Sequence, residues 1–174
     1  MQYWTAKVIR MSGKKLILVG LLFNVYWLIA VLGQQVYVWV LVLLFSACWW
    51  TFPSVGRYAF AIAGSGILMD GALSFSNVLD FQGVLIPIWL MMLWLGFGAF
   101  VWFMRETIAK HSAVFIGLLG GGGGAMSYFA GHRLQAVQWP LGVELTLMIL
   151  FVSWFVLSMT IVLMIKRQVL CEAT

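Results

Sequence analysis

Six apolar stretches, at 16–33, 36–52, 58–75, 86–104, 113–131 and 143–165, take up most of this 174-residue chain, and the cations between them fall in a one-sided pattern. Lys7, Arg10, Lys14 and Lys15 precede the first stretch, and Arg57 lies between the second and third. Arg105 and Lys110 lie between the fourth and fifth, and Lys166 and Arg167 follow the sixth. Only Arg133 falls in an alternate gap. A spanning helix needs about 20 mainly apolar residues, and cations concentrate in the loops that stay in the cytoplasm. Nine cations on one side against one on the other therefore predict an all-α, polytopic membrane protein. Its expected form is a compact bundle of six transmembrane helices with both termini cytoplasmic.

This division leaves a basic N-terminal segment (1–15), a six-helix domain (16–165) and a short tail (166–174). With 64% hydrophobic and 9% charged residues there is no room for a soluble domain, so function belongs in the bilayer or at its two faces. The net charge of +5 flanks the spans and forms no soluble patch, which makes it topogenic and excludes a nucleic-acid footprint. Residues 1–15 mix Tyr3, Trp4, Val8 and Ile9 with four cations. That pattern fits a helix lying on the inner leaflet, and equally a plain topogenic tail. Leu32-Gly33-Gln34-Gln35 makes a poor cleavage site, so the first stretch reads as an uncleaved span. Cys48 and Cys171 belong to no metal-ligating cluster, and no metal or cofactor is expected.

Asp70 is the sharpest chemical signal. It continues the stripe Ala59, Ala63, Gly66 at helical spacing, the kind of face that packs against a neighbouring helix. A carboxylate inside a span is costly, commonly by about 3 kcal/mol, and marks a functional position by default. A carboxylate hydrated near the trans interface is the plainer alternative. The fifth stretch holds Gly117 and then Gly120 to Gly124 unbroken, although each glycine costs about 1 kcal/mol of helix propensity. Gly117, Gly121 and Gly124, like Gly66, are expected to let another backbone approach closely. The competing reading is a locally unwound helix lining a cavity.

Tyr128 and His132 continue the glycine face, and Arg133 follows. With Asp70, Asp80 and Glu144 they would ring the mouth of a polar pocket on the trans side. Asn24, in the middle of the first stretch, reads as an inter-helix hydrogen bond or a ligand contact. No internal repeat is evident, which argues against an inverted-repeat transporter. Ala63-Gly64-Ser65-Gly66 resembles the Gly-x-Ser-Gly motif of rhomboid intramembrane proteases. Ala63 replaces the first glycine, however, and His132 lies nearer the trans end than Ser65.

The strings Gly66-Ile67-Leu68-Met69-Asp70, Pro87-Ile88-Trp89-Leu90-Met91-Met92-Leu93-Trp94 and Tyr128-Phe129-Ala130-Gly131-His132-Arg133-Leu134 occur in that order. With Asn24 and Trp27 they resemble domain-of-unknown-function family 2878, small bacterial inner-membrane proteins, over nearly the whole chain. Two positions depart from the pattern: Ala125 stands where proline is expected, and Gln135 where glycine is expected. The resemblance implies a fold and an inner-membrane location. Genes resembling fatty-acyl methyltransferases and flavin amine oxidases near those of relatives also imply a link to membrane-lipid modification.

The expected function is a non-catalytic membrane protein that binds or transports a small or lipid-like ligand. Asp70, Tyr128, His132, Arg133 and Asn24 are its expected ligand-binding residues. The build also resembles the substrate-capture subunits of energy-coupling-factor vitamin transporters, which implies a membrane or cytoplasmic partner subunit. Membrane lipid is the other expected partner, and nucleic acid is not. Two alternatives are a membrane-embedded lipid-modifying enzyme, or an accessory subunit of one, and a structural scaffold.

Overall fold

The computed structural model describes residues 12–172, with side chains described as far as Arg167. The expected surface segment 1–15 falls mostly outside these residues, and Lys14 and Lys15 already belong to the first helix. Six helices follow one another: α1 (Gly13–Gly33), α2 (Val38–Thr51), α3 (Val55–Phe75), α4 (Ile88–Lys110), α5 (Ala113–Arg133) and α6 (Val143–Glu172). No strand occurs among the described residues. Five helices are long and apolar enough to cross a membrane, whereas α2 has only 14 residues. At about 1.5 Å per residue α2 reaches about 21 Å, short of a hydrocarbon core of about 30 Å. The last helix also runs past the tail boundary expected at 166, because nothing in Lys166-Arg167-Gln168-Val169-Leu170 breaks a helix.

Helix α4 is the centre of the bundle and packs against α1, α2, α3 and α6, while α5 lies mainly along α6. Glycines set these close approaches. A Cβ added to Gly98 would stand 2.6 Å from the Cα of Ala59, so α3 and α4 meet backbone to backbone there. The Tyr26 ring fills the space that a Gly96 side chain would need, and its hydroxyl donates to the Met92 carbonyl at 2.8 Å. This contact fastens α1 to α4. Pro87 stands as the N-cap of α4, where its missing N–H leaves no bond unmade.

The structure contains a repeat that the sequence analysis did not find. Helices α3 and α5 are 21 residues each and begin and end at equivalent positions. The buried stripe Ala59, Ala63, Gly66, Asp70 of α3 has its counterpart in Gly117, Gly121, Gly124, Tyr128 of α5, with the same internal spacing. Both helices end alike. Asn77 (φ 55°) and Gln135 (φ 61°) take the left-handed conformation. The amides of Val78 and Ala136 then reach back to the carbonyls of Leu73 and Gly131, each at 2.9 Å. Beyond these ends the chains pair: Asp80 and Gln138 exchange backbone bonds of 2.9 and 2.8 Å as an antiparallel bridge. The hairpins α3–α4 and α5–α6 thus share one pattern in their first helix and in the turn that ends it. What the two stripes share is three small residues followed by a polar one at the same spacing.

Candidate functional site

The residues at which the two hairpins meet form one connected cluster. Asp70 is fully buried and accepts three contacts. The Tyr128 hydroxyl lies 2.6 Å from both carboxylate oxygens, and the Trp94 indole N–H donates to Oδ2 at 2.7 Å. Behind this network the indoles of Trp94 and Trp154 stack, with centroids 5.1 Å apart and planes 15° from parallel. Gly66 abuts Trp94 and Gly124 abuts Trp154 so closely that a Cβ at either glycine would fall inside the ring. The order across the bundle is therefore Gly66, Trp94, Trp154, Gly124, one residue from each of α3, α4, α6 and α5. Phe97 meets both indoles edge-on, at 5.6 Å and 5.4 Å.

A loop layer covers one end of this cluster. Leu79, Phe81, Ala136, Val137 and Trp139 are buried in it, around the Asp80–Gln138 bridge. His132 belongs to this layer: its ring stacks on Trp139 at 4.7 Å, and Nδ1 lies 3.1 Å from the Val137 carbonyl oxygen. Arg133 is exposed at the end of α5.

Beside the cluster lies a cavity of about 630 Å³ walled by α1, α4, α5 and α6. It follows α4 from Leu90 to Ile108, almost that helix's whole length. A typical small-molecule pocket has about 300–1,000 Å³, so the volume suits a ligand. Its wall is mainly aromatic and aliphatic, and no charged side chain lines it. Glycines of α5 make the room. Gly120, Gly123 and Gly124 all line the cavity, and α5 stays helical throughout.

Of the expected ligand-binding residues, Asn24 and Tyr128 line this cavity. Asp70 stands behind Tyr128 and Trp94, and His132 and Arg133 are not on the wall. Gly117 and Gly121 pack on α6, where an added Cβ would come within 2.9 Å of Phe155 and 3.1 Å of Phe151. The sequence analysis missed Trp94 and Trp154 as members of the site. Tryptophans are expected at the bilayer interfaces, whereas these two are central. Comparing the two small-residue stripes would have pointed to bulky partners opposite Gly66 and Gly124.

Together these features define a helical protein whose fold is compatible with multiple membrane crossings, with two like hairpins clamped by a buried carboxylate. The chain belongs to the family described as protein of unknown function DUF2878, whose model matches residues 16–160, from α1 into the middle of α6. No curated protein and no solved structure matches the chain.

Proposed function

We propose that this is a multi-pass membrane protein that holds one lipid-like molecule in the cavity beside α4. The observation that carries this reading is the elongated apolar cavity of about 630 Å³, walled along nearly the whole of a membrane-length helix. An apolar space of that shape matches an acyl or isoprenoid chain better than a compact polar solute. The Asp70–Tyr128–Trp94 network then serves as the rigid wall that keeps the cavity open. In the membrane, α2 completes a six-span arrangement, and both termini lie in the cytoplasm. That orientation is supported by the cation bias, which leaves Arg133 alone at the bridge-layer end against nine cations at the other.

Two neighbouring glycines give a clean test. Gly123 lines the cavity and Gly122 does not, and a Cβ at either meets nothing within 4 Å. Leucine at position 123 should fill the cavity, and leucine at 122 should leave it empty, both without pushing helices apart. Native mass spectrometry of detergent-purified protein should show a bound lipid on wild type and Gly122→Leu, and its loss from Gly123→Leu. Equal retention by both variants would refute the reading.

A second reading, membrane-embedded lipid modification, is favoured by one observation: Tyr128, whose hydroxyl is held by a buried carboxylate, lines the cavity. It predicts that Tyr128→Phe removes a lipid species from membranes while the purified variant still retains lipid.

A further inference from the structure

We infer that the cavity selects an uncharged amphiphile, and that Asn24 recognises its neutral hydrogen-bonding group at mid-depth in the bundle. The inference rests on the lipid-binding reading above and names the chemical class of the ligand. Asn24 is exposed near the midpoint of α1 (Gly13–Gly33) and lines the cavity. Its amide nitrogen donates to the Gly20 carbonyl at 2.8 Å, which uses one of its two protons and fixes the side chain. The other proton and the carbonyl oxygen have no partner among the described residues. On the other walls, the hydroxyls of Ser127 and Ser158 also lack partners, and Ser158 is buried.

An amide and two hydroxyls left open along an otherwise apolar wall form a polar set that a bound molecule can satisfy. A ligand hydroxyl, ester or amide would satisfy them, because each offers a donor or an acceptor without charge. A charged head group fits poorly. No cation or anion lines the wall to pair with it, and an unpaired charge in such a space is far costlier than an unpaired dipole. Asp70 does not alter this balance, since its oxygens are already occupied by Tyr128 and Trp94. The occupant is therefore a long-chain molecule with a neutral polar group, such as a monoglyceride or fatty alcohol. Long-chain acids and amines are excluded.

The test uses three dibrominated stearoyl probes that share one chain and differ in head group: a monoglyceride, a carboxylate and an amine. Each is titrated into the purified full chain in maltoside micelles, and quenching of tryptophan emission is read against Gly123→Leu as the filled control. The monoglyceride should quench at concentrations about tenfold lower than the other two. Asn24→Leu should erase that preference, and Asn24→Asp should shift it toward the amine. Equal quenching by all three probes, or a preference that survives Asn24→Leu, would overturn the inference while leaving lipid binding intact. If no probe quenches wild type beyond the filled control, the lipid-binding reading itself fails, and this inference with it.

Discussion

Asp70 and Tyr128 are 58 residues apart in the chain and meet at 2.6 Å, at equivalent positions of α3 and α5. Every other feature of the clamp is arranged around this pair. Trp94 supplies the second donor to the carboxylate. Trp154, its counterpart, leaves its own indole N–H without a partner among the described residues. The two hairpins are thus alike in the backbone of α3 and α5 and unlike in chemistry.

The pair makes a prediction about coupling. Asp70→Leu would strand two buried donors, each costing about 1–3 kcal/mol. Tyr128→Phe alone should cost less, about 1–2 kcal/mol, because Trp94 still satisfies the carboxylate. In the double variant Asp70→Leu/Tyr128→Phe one stranded donor is gone, so its loss should fall short of the sum by about 1 kcal/mol. Equilibrium unfolding in mixed detergent micelles would check this, and strict additivity would contradict it.

The indoles should differ in the same way. Trp94→Phe takes a donor from a buried carboxylate, whereas Trp154→Phe removes a group that has no partner among the described residues. Both lose ring area. The first should therefore be the more destabilising by about 1–2 kcal/mol, read from the same unfolding curves.

Glycine tolerance should follow the geometry and not helix propensity. Alanine at Gly66 or Gly124 places a methyl group inside an indole and should cost about 1–3 kcal/mol. Alanine at Gly122 meets open space and should stabilise by up to about 1 kcal/mol. Thermal denaturation followed by tryptophan emission would separate them, and equal shifts for the three variants would count against the stacked arrangement.

Gln135 offers a stabilising change. It is exposed and holds φ at 61°, a conformation that favours glycine. Gln135→Gly should raise the melting temperature, with a gain of up to about 1 kcal/mol from released strain. A lowered melting temperature would show that the side chain contributes more to the loop than its exposure indicates.

Much of the helical plan was legible because apolar length is written locally. The end of α3 and the starts of α5 and α6 can be read from where the apolar runs meet polar or turn residues, whereas α3 begins three residues earlier than expected and takes in Arg57. The shortness of α2 was harder to see, since Val36 and Tyr37 extend the apolar run although the chain is turning there. Asp70, Gly66, Gly124 and Tyr128 each stood out singly, as a charge in a span or as small residues at helical spacing. Their convergence was not legible. Which tryptophan meets which glycine depends on helix rotation and neighbour choice, and neither leaves a local pattern. The shared pattern was hidden for a related reason. A helix face can conserve small volume while exchanging alanine for glycine, and an acid for a phenol, so the two stripes resemble each other in shape more than in letters.

The unlike pair also gives the two hairpins separate parts in the clamp. The α3–α4 hairpin brings the acceptor, Asp70, and the α5–α6 hairpin brings a donor, Tyr128. Two copies of the first set in this register would put acid against acid, and two copies of the second phenol against phenol. The difference between the hairpins is what lets a buried carboxylate in one find its donor in the other.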